Sequence, residues 1–322
     1  MESAQGELST NLCAVKTLWA LSAIFLAAAL VIWWRPLFRR GQADGRLEAR
    51  FFGFAGIAAF VFIPAYLGGL AFAVCIGAIV LVCLTEYFSI LGLEGMHKYK
   101  RLALFLSVLL IAAAAFARGS PGLSEGAEPV LSCFFYLMPA VVIATVSAVP
   151  LFTGSYERTL TMGALTIFGV MYFGWFLAHL VLIRNMPNGF GYFVFLAMCV
   201  AMNDIFAFTV GKSMGRKKLS AIISPGKTWE GLAGGMLGSI LAACIFAYCV
   251  ADIGLSNLIV MTLLISIIAP IGDLIVSAIK RDMNVKDCGT LMPGHGGLLD
   301  RCDSAILVSP VIYYYLTFFA RA

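Results

Sequence analysis

Charged residues are scarce in this chain of 322 residues. They make up 12% of the sequence, whereas soluble domains carry about 25%, and hydrophobic residues make up 61%. A water-soluble fold of this length could not bury so much apolar surface. The composition therefore excludes an ordinary soluble domain and indicates a protein that is largely solvated by lipid. The net charge of +5 is small, and we expect no nucleic-acid partner.

Two common chemical motifs are also missing. The nine cysteines contain no C-x-x-C pair and lie mostly in apolar runs, which favours small buried side chains over a zinc site or a disulfide framework. A P-loop ending in Lys227 and Thr228 would need glycine where the chain has Ala221. The segment ending in Ser213 has Phe206 at the corresponding position. A P-loop nucleotide site is therefore excluded.

Long apolar runs dominate what is present, and each is close to the roughly 20 residues that a helix needs to cross a bilayer. Backbone polar groups in lipid must bond within their own segment. We therefore predict an all-α polytopic transmembrane bundle of about nine to ten spans, and we do not expect strands. The ten candidates are 18–34, 52–70, 71–91, 102–117, 130–152, 160–183, 189–211, 232–250, 257–279 and 304–320.

Basic residues are distributed unevenly between the connecting loops. The loops after the odd-numbered candidates hold eighteen of the 22 (five, three, one, five and four in turn). Positively charged loops stay in the cytosol. We therefore predict an integral membrane protein, in the inner membrane if the source is bacterial, with both termini outside. Its polar segments at 203–235 and 272–303 would lie on the cytosolic face.

These two polar segments are the candidate site. Each begins with a carboxylate inside an apolar helix and continues through basic residues and glycines. Asp273 lies where a charge costs a few kcal/mol on insertion scales, so it needs an explanation. A magnesium ligand is one interpretation, because magnesium takes one or two carboxylates together with substrate phosphates. An ion pair that locks helix packing is the alternative.

The second segment offers further ligands. Asp287, Asp300 and Asp303 supply carboxylates, although Asp303 could equally cap the last helix. His295 lies in the glycine-rich turn at 293–297, where the backbone can approach a phosphate closely. For this histidine we weigh catalytic and structural roles equally.

The first segment adds a lysine and two polar residues. Lys227 is the better phosphate ligand, whereas we interpret the basic residues at 216–218 as positive-inside anchors. Asn203 and Asp204 lie inside a span, parallel to Asp273, and we expect them to face the same cavity.

Two polar residues elsewhere give weaker signals. Glu86 lies near the cytosolic end of its span and could extend its carboxylate to the interface. His179 lies in an apolar helix, and we predict a satisfied packing residue.

The segment 277–303 resembles the signature of phosphatidate cytidylyltransferases (CDP-diacylglycerol synthases). Its matching positions are Ser277, Lys280, Arg281, Lys286, Asp287, Pro293, Gly294, His295, Gly296, Gly297, Asp300, Arg301 and Asp303. The segment 203–235 is similar to the family's second conserved block. There the matches are Asn203, Asp204, Gly211, Gly215, Leu219, Ser220, Ser224, Pro225, Lys227, Thr228, Glu230, Gly231, Gly234 and Gly235. Ile205 and Phe206 depart from the small residues that many members have.

The resemblance implies an enzyme that converts CTP and phosphatidate to CDP-diacylglycerol and pyrophosphate in phospholipid biosynthesis. It implies a homodimer in membrane lipid, with magnesium at Asp273 and Asp300 and potassium as a candidate second ion. The implied catalytic residues are Lys280, Arg281, Asp287 and His295. The implied substrate-binding residues are Asn203, Asp204, Ser224, Lys227, Thr228, Lys286, Gly296, Gly297 and Arg301.

Because the resemblance is confined to the C-terminal part, we expect two regions. Residues 1–190 would form a lipid-facing scaffold of helices, and residues 191–322 would form the catalytic region. A cytidylyltransferase for another lipid or polyprenyl phosphate is the close alternative. A secondary transporter is the more distant one, and it is disfavoured because transporters tend to show paired repeats with sites near the midplane.

The charge distribution makes a topology prediction. Cysteines introduced at Lys218 and Lys286 should not react with an impermeant thiol reagent added to intact cells, because both positions lie in loops predicted to be cytosolic. Labelling of either position from outside would reverse the topology.

Overall fold

The architecture comes from a computed structural model, which describes residues 15–17, 56, 58–93, 95–117, 127–154, 158–289 and 297–320. The first span candidate, 18–34, lies outside these residues. The second is described only as the ten-residue apolar helix Ala58–Leu67, here α1. At Gly68 the backbone turns with φ 137°, a conformation that glycine adopts readily, before the next helix begins.

Eight described helices are long and apolar enough to cross a membrane, and they correspond in order to the third to tenth candidates. The chain is therefore an integral membrane protein with an all-α bundle, as predicted. The eight are α2 Gly69–Leu91, α3 His97–Phe116, α4 Ala127–Thr153, α5 Thr159–Asn185, α6 Gly189–Met214, α7 Trp229–Val250, α8 Leu255–Asp282 and α9 Leu299–Ala320.

Several helices continue beyond the apolar runs that predicted them. The tenth candidate starts at 304, but α9 begins at Leu299 and therefore carries Asp300 and Asp303 in its first turns. The proposed cap role of Asp303 is consequently wrong, because this residue lies inside the helix. Likewise, α8 continues through Lys280 to Asp282. The charged residues at the start of α9 and at the end of α8 are thus held on helices rather than on loops.

A short hairpin connects α6 to α7, which the sequence did not predict. Its strands, β1 Lys218–Ser220 and β2 Ser224–Thr228, are antiparallel and lie outside the spans, where the lipid constraint does not apply. Thr228 ends the hairpin and caps α7, since its Oγ1 accepts a hydrogen bond from Gly231 N at 3.0 Å. Arg281 Nε donates to the carbonyl of Ile223 at 3.2 Å. The hairpin is therefore fixed against the end of α8.

The α6–α7 pair forms the most extensive helix contact. A Cβ at Gly234 would lie 2.6 Å from Val210 Cβ, and one at Gly235 would lie 2.9 Å from Asn203 Oδ1. Small residues of this kind let two helices approach closely in a membrane, where packing rather than the hydrophobic effect drives association. The close approach brings the hairpin and the end of α6 together.

A π-helical turn at Val170–Trp175 interrupts α5. It lies beside α8, where the Tyr172 hydroxyl donates to the carbonyl of Gly272 at 3.5 Å. One turn further, His179 is fully buried, with Nδ1 2.8 Å from the carbonyl of Trp175 and Nε2 3.4 Å from the hydroxyl of Tyr314. The packing role predicted for His179 is confirmed.

Side-chain hydrogen bonds also join the helices at the end of the bundle opposite the hairpin. Asn185 Nδ2 donates to the carbonyls of Ala114 and Ala115, at 3.4 and 3.0 Å. Asn188 Nδ2 donates to Asp252 Oδ1 at 2.7 Å. These ties satisfy helix ends that lie far along the chain from one another.

The close packing of α6 on α7 can be tested at Gly238. A Cβ there would collide with the carbonyl oxygen of Met202 and lie 2.8 Å from Phe206 Cβ. Gly238→Ala should destabilise the detergent-solubilised protein by about 1–3 kcal/mol, the usual cost of overpacking, and lower its thermal unfolding temperature. Gly77→Ala is the control, because its Cβ would meet Ile111 Cγ2 at an ordinary 3.5 Å. Equal effects of the two substitutions would contradict the packing described here.

Candidate active site

A cavity of about 390 Å³, lined by both apolar and charged side chains, lies where the hairpin, α6, α7, α8 and α9 meet. Its size is within the range of roughly 300–1,000 Å³ that is usual for small-molecule sites. Both polar segments of the sequence contribute to its wall. The lining residues are Asn203, Asp204, Ala207, Phe208, Leu219, Ser224, Gly226, Lys227, Thr228, Gly231, Leu232, Pro270, Asp273, Asp300, Asp303 and Ser304.

Three helices each bring a carboxylate to this cavity. Asp204 of α6, Asp273 of α8 and Asp303 of α9 lie close enough to interact with one another. Ser304 Oγ donates to Asp204 Oδ1 at 3.4 Å, and Ser277 Oγ donates to Asp273 Oδ1 at 3.2 Å. A Cβ at Gly272 would lie 2.6 Å from the carbonyl oxygen of Asp303, so the backbones of α8 and α9 are nearly in contact. This close approach places the carboxylates side by side.

Lys227 reaches into the cavity from the hairpin. Its Nζ lies 2.7 Å from Asp273 Oδ2 and donates to the carbonyl of Pro270 at 3.1 Å. The Lys227 and Asp273 side chains are 21% and 32% exposed, so the pair is accessible from the cavity. A ligand entering the cavity can therefore replace either partner.

Pro270 has a second effect on the local structure. Proline has no backbone N–H, so the carbonyl four residues earlier, that of Ser266, lacks its usual helix partner. Asn203 Nδ2 donates to this carbonyl at 3.2 Å and to Ser239 Oγ at 3.0 Å. Asn203 is fully buried and ties α6 to both α7 and α8. Its amide nitrogen is thus used within the protein, at the wall of the cavity.

Asp300 is held at the start of α9 by three donors. Lys280 Nζ lies 2.7 Å from Asp300 Oδ1, and both side chains are largely buried. The backbone amides of Cys288 and Gly297 donate to Asp300 Oδ2 at 3.0 and 3.3 Å. The Lys280–Asp300 pair therefore joins α8 to α9 and fixes part of the connection between them.

The remaining predicted residues lie away from the cavity or outside the described residues. Arg281 is exposed and bonded to the hairpin, as described above. Lys286, Asp287 and Arg301 are also exposed, and none of the three lines this cavity. Gly297 is buried and does not line the cavity. His295 and Gly296 lie outside the described residues, so their predicted roles stay predictions.

The prediction that Glu86 extends its carboxylate to the interface is wrong. Glu86 is only 8% exposed, and its carboxylate does not extend to the interface. Instead it accepts hydrogen bonds from the backbone amides of Leu298 and Leu299. Its position inside an apolar helix was a usable signal, since intramembrane carboxylates are usually functional or paired.

The donor set suits a hard divalent cation. Among the described residues, no three His, Cys, Asp or Glu side chains form a ready-made metal cluster. A magnesium ion does not need such a cluster, because it takes one or two carboxylates and fills its other positions with water and substrate phosphates. Zinc fits less well, because it prefers cysteine and histidine ligands and none of the described residues that line the cavity is of either type.

Fold and site together define a class: an integral membrane protein whose cavity combines carboxylates with a lysine and suits a phosphorylated, metal-associated ligand. Residues 48–319 match the cytidylyltransferase family. The chain therefore belongs to this family.

Named relatives extend this comparison. A phosphatidate cytidylyltransferase of Synechocystis is 32% identical over 274 residues, which cover 78% of this chain and 89% of the relative. One of Bacillus subtilis is 39% identical over 162 residues, or 49% of this chain and 60% of the relative. YnbB of Escherichia coli, an uncharacterised protein, is 40% identical over 154 residues, or 48% and 51%. The alignment thus spans only about half to three fifths of the latter two relatives.

Proposed function

We propose that this protein is a phosphatidate cytidylyltransferase, which converts CTP and phosphatidate to CDP-diacylglycerol and pyrophosphate. The observation that carries the proposal is the accessible Lys227–Asp273 pair, which places a phosphate-binding cation beside a metal-binding carboxylate. Membership of the cytidylyltransferase family and the names of two relatives support it. The position of the pair on spanning helices suits a substrate whose acyl chains stay in the bilayer.

In the proposed reaction, a phosphate oxygen of phosphatidate attacks the α-phosphorus of CTP. A new P–O bond forms, the bond from that phosphorus to the oxygen bridging to the β-phosphate breaks, and pyrophosphate leaves. The protein positions the two phosphates and neutralises their charge. Lys227 is placed to contact a phosphate from the hairpin side. Lys280 does so from α8, while Arg281 holds the hairpin.

Cytidylyltransferase reactions generally need a divalent metal, and we assign magnesium to Asp273 and Asp300. Asp204 and Asp303 are further oxygen donors in the same cavity. When bound, magnesium supplies a Lewis acid that polarises the phosphoryl oxygens and stabilises the leaving group. We keep potassium as a candidate second ion.

The other assignments extend the proposal. We assign catalytic roles to Asp287 and His295. We assign substrate contacts to Asn203, Ser224, Thr228, Lys286, Gly296, Gly297 and Arg301. We further propose a homodimer. We also propose that the cavity opens to the cytosol, because it lies at the end of the bundle that carries most of the basic residues. Residues 1–190 would then serve as the scaffold, and residues 191–322 as the catalytic region.

Purified protein in lipid nanodiscs tests the activity. Radiolabelled CTP should enter chloroform-extractable lipid when phosphatidate is present, with release of one pyrophosphate per product. A panel of lipid and polyprenyl phosphates distinguishes phosphatidate from other acceptors, since only the preferred acceptor should give efficient transfer of the cytidylyl group. If no acceptor in the panel gives CTP-dependent product, the proposal is wrong. Ion-coupled uptake into vesicles without pyrophosphate release would favour the transporter instead.

The metal assignment predicts the effect of removing single carboxylate charges. Asp273→Asn and Asp300→Asn should each lower kcat/KM a hundredfold or more, a loss of about 2.7 kcal/mol, since an amide lacks the charge that magnesium needs. Asp252→Asn is the control, because Asp252 bonds Asn188 at the opposite end of the bundle. All three variants should insert into the membrane. Wild-type turnover by either site variant would refute the metal assignment.

Substitutions of two lysines between α6 and α7 distinguish a residue that binds phosphate from one that only favours the cytosolic orientation of the loop. Lys227→Ala should raise the KM for CTP or lower kcat. A lost charge-assisted hydrogen bond is worth about 1.5–3 kcal/mol, or roughly ten- to a hundredfold in kcat/KM. Lys217 is exposed, so Lys217→Ala should change kcat/KM little. Comparable losses would mean that the whole basic cluster binds substrate, and equal indifference would remove Lys227 from the site.

A further inference from the structure

The N-terminus of α9 receives no side-chain cap from the described residue that precedes it. The residue before the helix is Leu298, whose side chain cannot accept a hydrogen bond. The first amides of any helix need acceptors, and the positive end of the helix dipole favours an anion there. Here the acceptor is the carboxylate of Glu86 in α2: Oε1 accepts from Leu298 N at 3.0 Å and Oε2 from Leu299 N at 2.9 Å.

The backbone at two glycines packs closely against the Glu86 carboxylate. A Cβ at Gly289 would lie 2.5 Å from Glu86 Oε1, and one at Gly297 would lie 2.7 Å from Oε2. Both ends of the described α8–α9 connection therefore close onto Glu86. Only glycine permits such an approach, because any larger residue would meet the carboxylate.

The same turn also holds Asp300. The amides of Cys288 and Gly297 donate to Asp300, whereas those of Leu298 and Leu299 donate to Glu86. Within the turn itself, the amide of Gly297 bonds Asp300 and the next two bond Glu86, so two carboxylates divide these three consecutive amides between them. Asp300 follows directly after the residues that Glu86 holds, so a shift in that turn would move Asp300 with it.

We propose that Glu86 is a positioning residue: it fixes the first turn of α9 and thereby keeps the Asp300 carboxylate in the cavity. This inference rests on the proposed function and adds to it a residue outside the two polar segments. A carboxylate suits the role because both of its oxygens accept hydrogen bonds. Glutamine at this position would turn one acceptor into a donor that faces another donor.

Hydrogen–deuterium exchange of the full-length protein in nanodiscs provides a readout that does not depend on turnover. In Glu86→Gln, amide exchange at 297–301 should rise roughly tenfold, the effect of one net hydrogen bond. In the same preparation kcat/KM should fall about ten- to a hundredfold, because the turn that precedes Asp300 is held less firmly and the carboxylate is less well positioned. Asn185→Ala is the matched control: it also removes two inter-helix hydrogen bonds, but at the opposite end of the bundle. It should leave exchange at 297–301 and kcat/KM unchanged.

A second variant tests the contact from the other side. Gly289→Ala should displace the Glu86 carboxylate and reproduce the faster exchange and lower kcat/KM of Glu86→Gln. In a Glu86→Ala background the added methyl meets no carboxylate, so Gly289→Ala should cause little further loss. Losses that multiply in the double variant would overturn the proposal, since they would show that the two residues act independently.

The outcomes separate this inference from the function on which it rests. Faster exchange with unchanged kcat/KM would show a merely structural cap and refute the positioning role. Unchanged exchange in Glu86→Gln would refute the contact itself. Absence of CDP-diacylglycerol synthesis by the wild-type protein would refute the proposed function, while the exchange data would still report on Glu86.

Discussion

A charged side chain inside a bilayer has to be partnered, and the arrangement of this bundle depends on that constraint. Lys227 pairs with Asp273, and Lys280 pairs with Asp300, at 2.7 Å in each case. The first pair ties the hairpin to α8 and the second ties α8 to α9. Such pairs are weak evidence for stability, because desolvation offsets much of the attraction, but breaking the largely buried Lys280–Asp300 pair would leave an uncompensated charge that costs about 3–5 kcal/mol. The pairs therefore fix geometry more than they add stability.

The same constraint prepares the cavity for ligands. Asp204 and Asp303 join the two paired carboxylates, so four carboxylates line the cavity together with Lys227, while Lys280 holds Asp300 and is absent from the described lining. A divalent cation would offset part of this negative charge, and phosphates would compete with the carboxylates for the lysines. Under the proposed function, substrate and metal would exchange partners with groups that are already in place. This is a form of preorganisation, since the charges need not be brought together when the substrate binds.

Hydropathy predicted the third to tenth spans because every residue of a spanning helix carries the signal. Hydropathy was less accurate at the helix ends, because polar residues in a helix have the composition of a loop. Helix α9, for example, begins five residues before its apolar run. The hairpin was missed because its strands are short and their pairing carries little local signal. Asp273 and Lys227 could be singled out from their surroundings in the sequence. Glu86 could not be assigned, because its partners lie 212 and 213 residues away and only the fold brings them together.

The residues of the two polar segments are consequently held in part by helices outside those segments. Tyr172, in the π-helical turn of α5, supports the backbone of α8 at Gly272, next to Asp273. Glu86, in α2, holds the turn before Asp300. Both belong to the part of the chain that we expected to act as a lipid-facing scaffold, a division that stays a prediction. Carboxylates contributed by different helices keep their mutual distances only if the helix backbones are fixed. The helices before residue 190 therefore contribute to the site by holding α8 and α9 in register, even though none of their described residues lines the cavity.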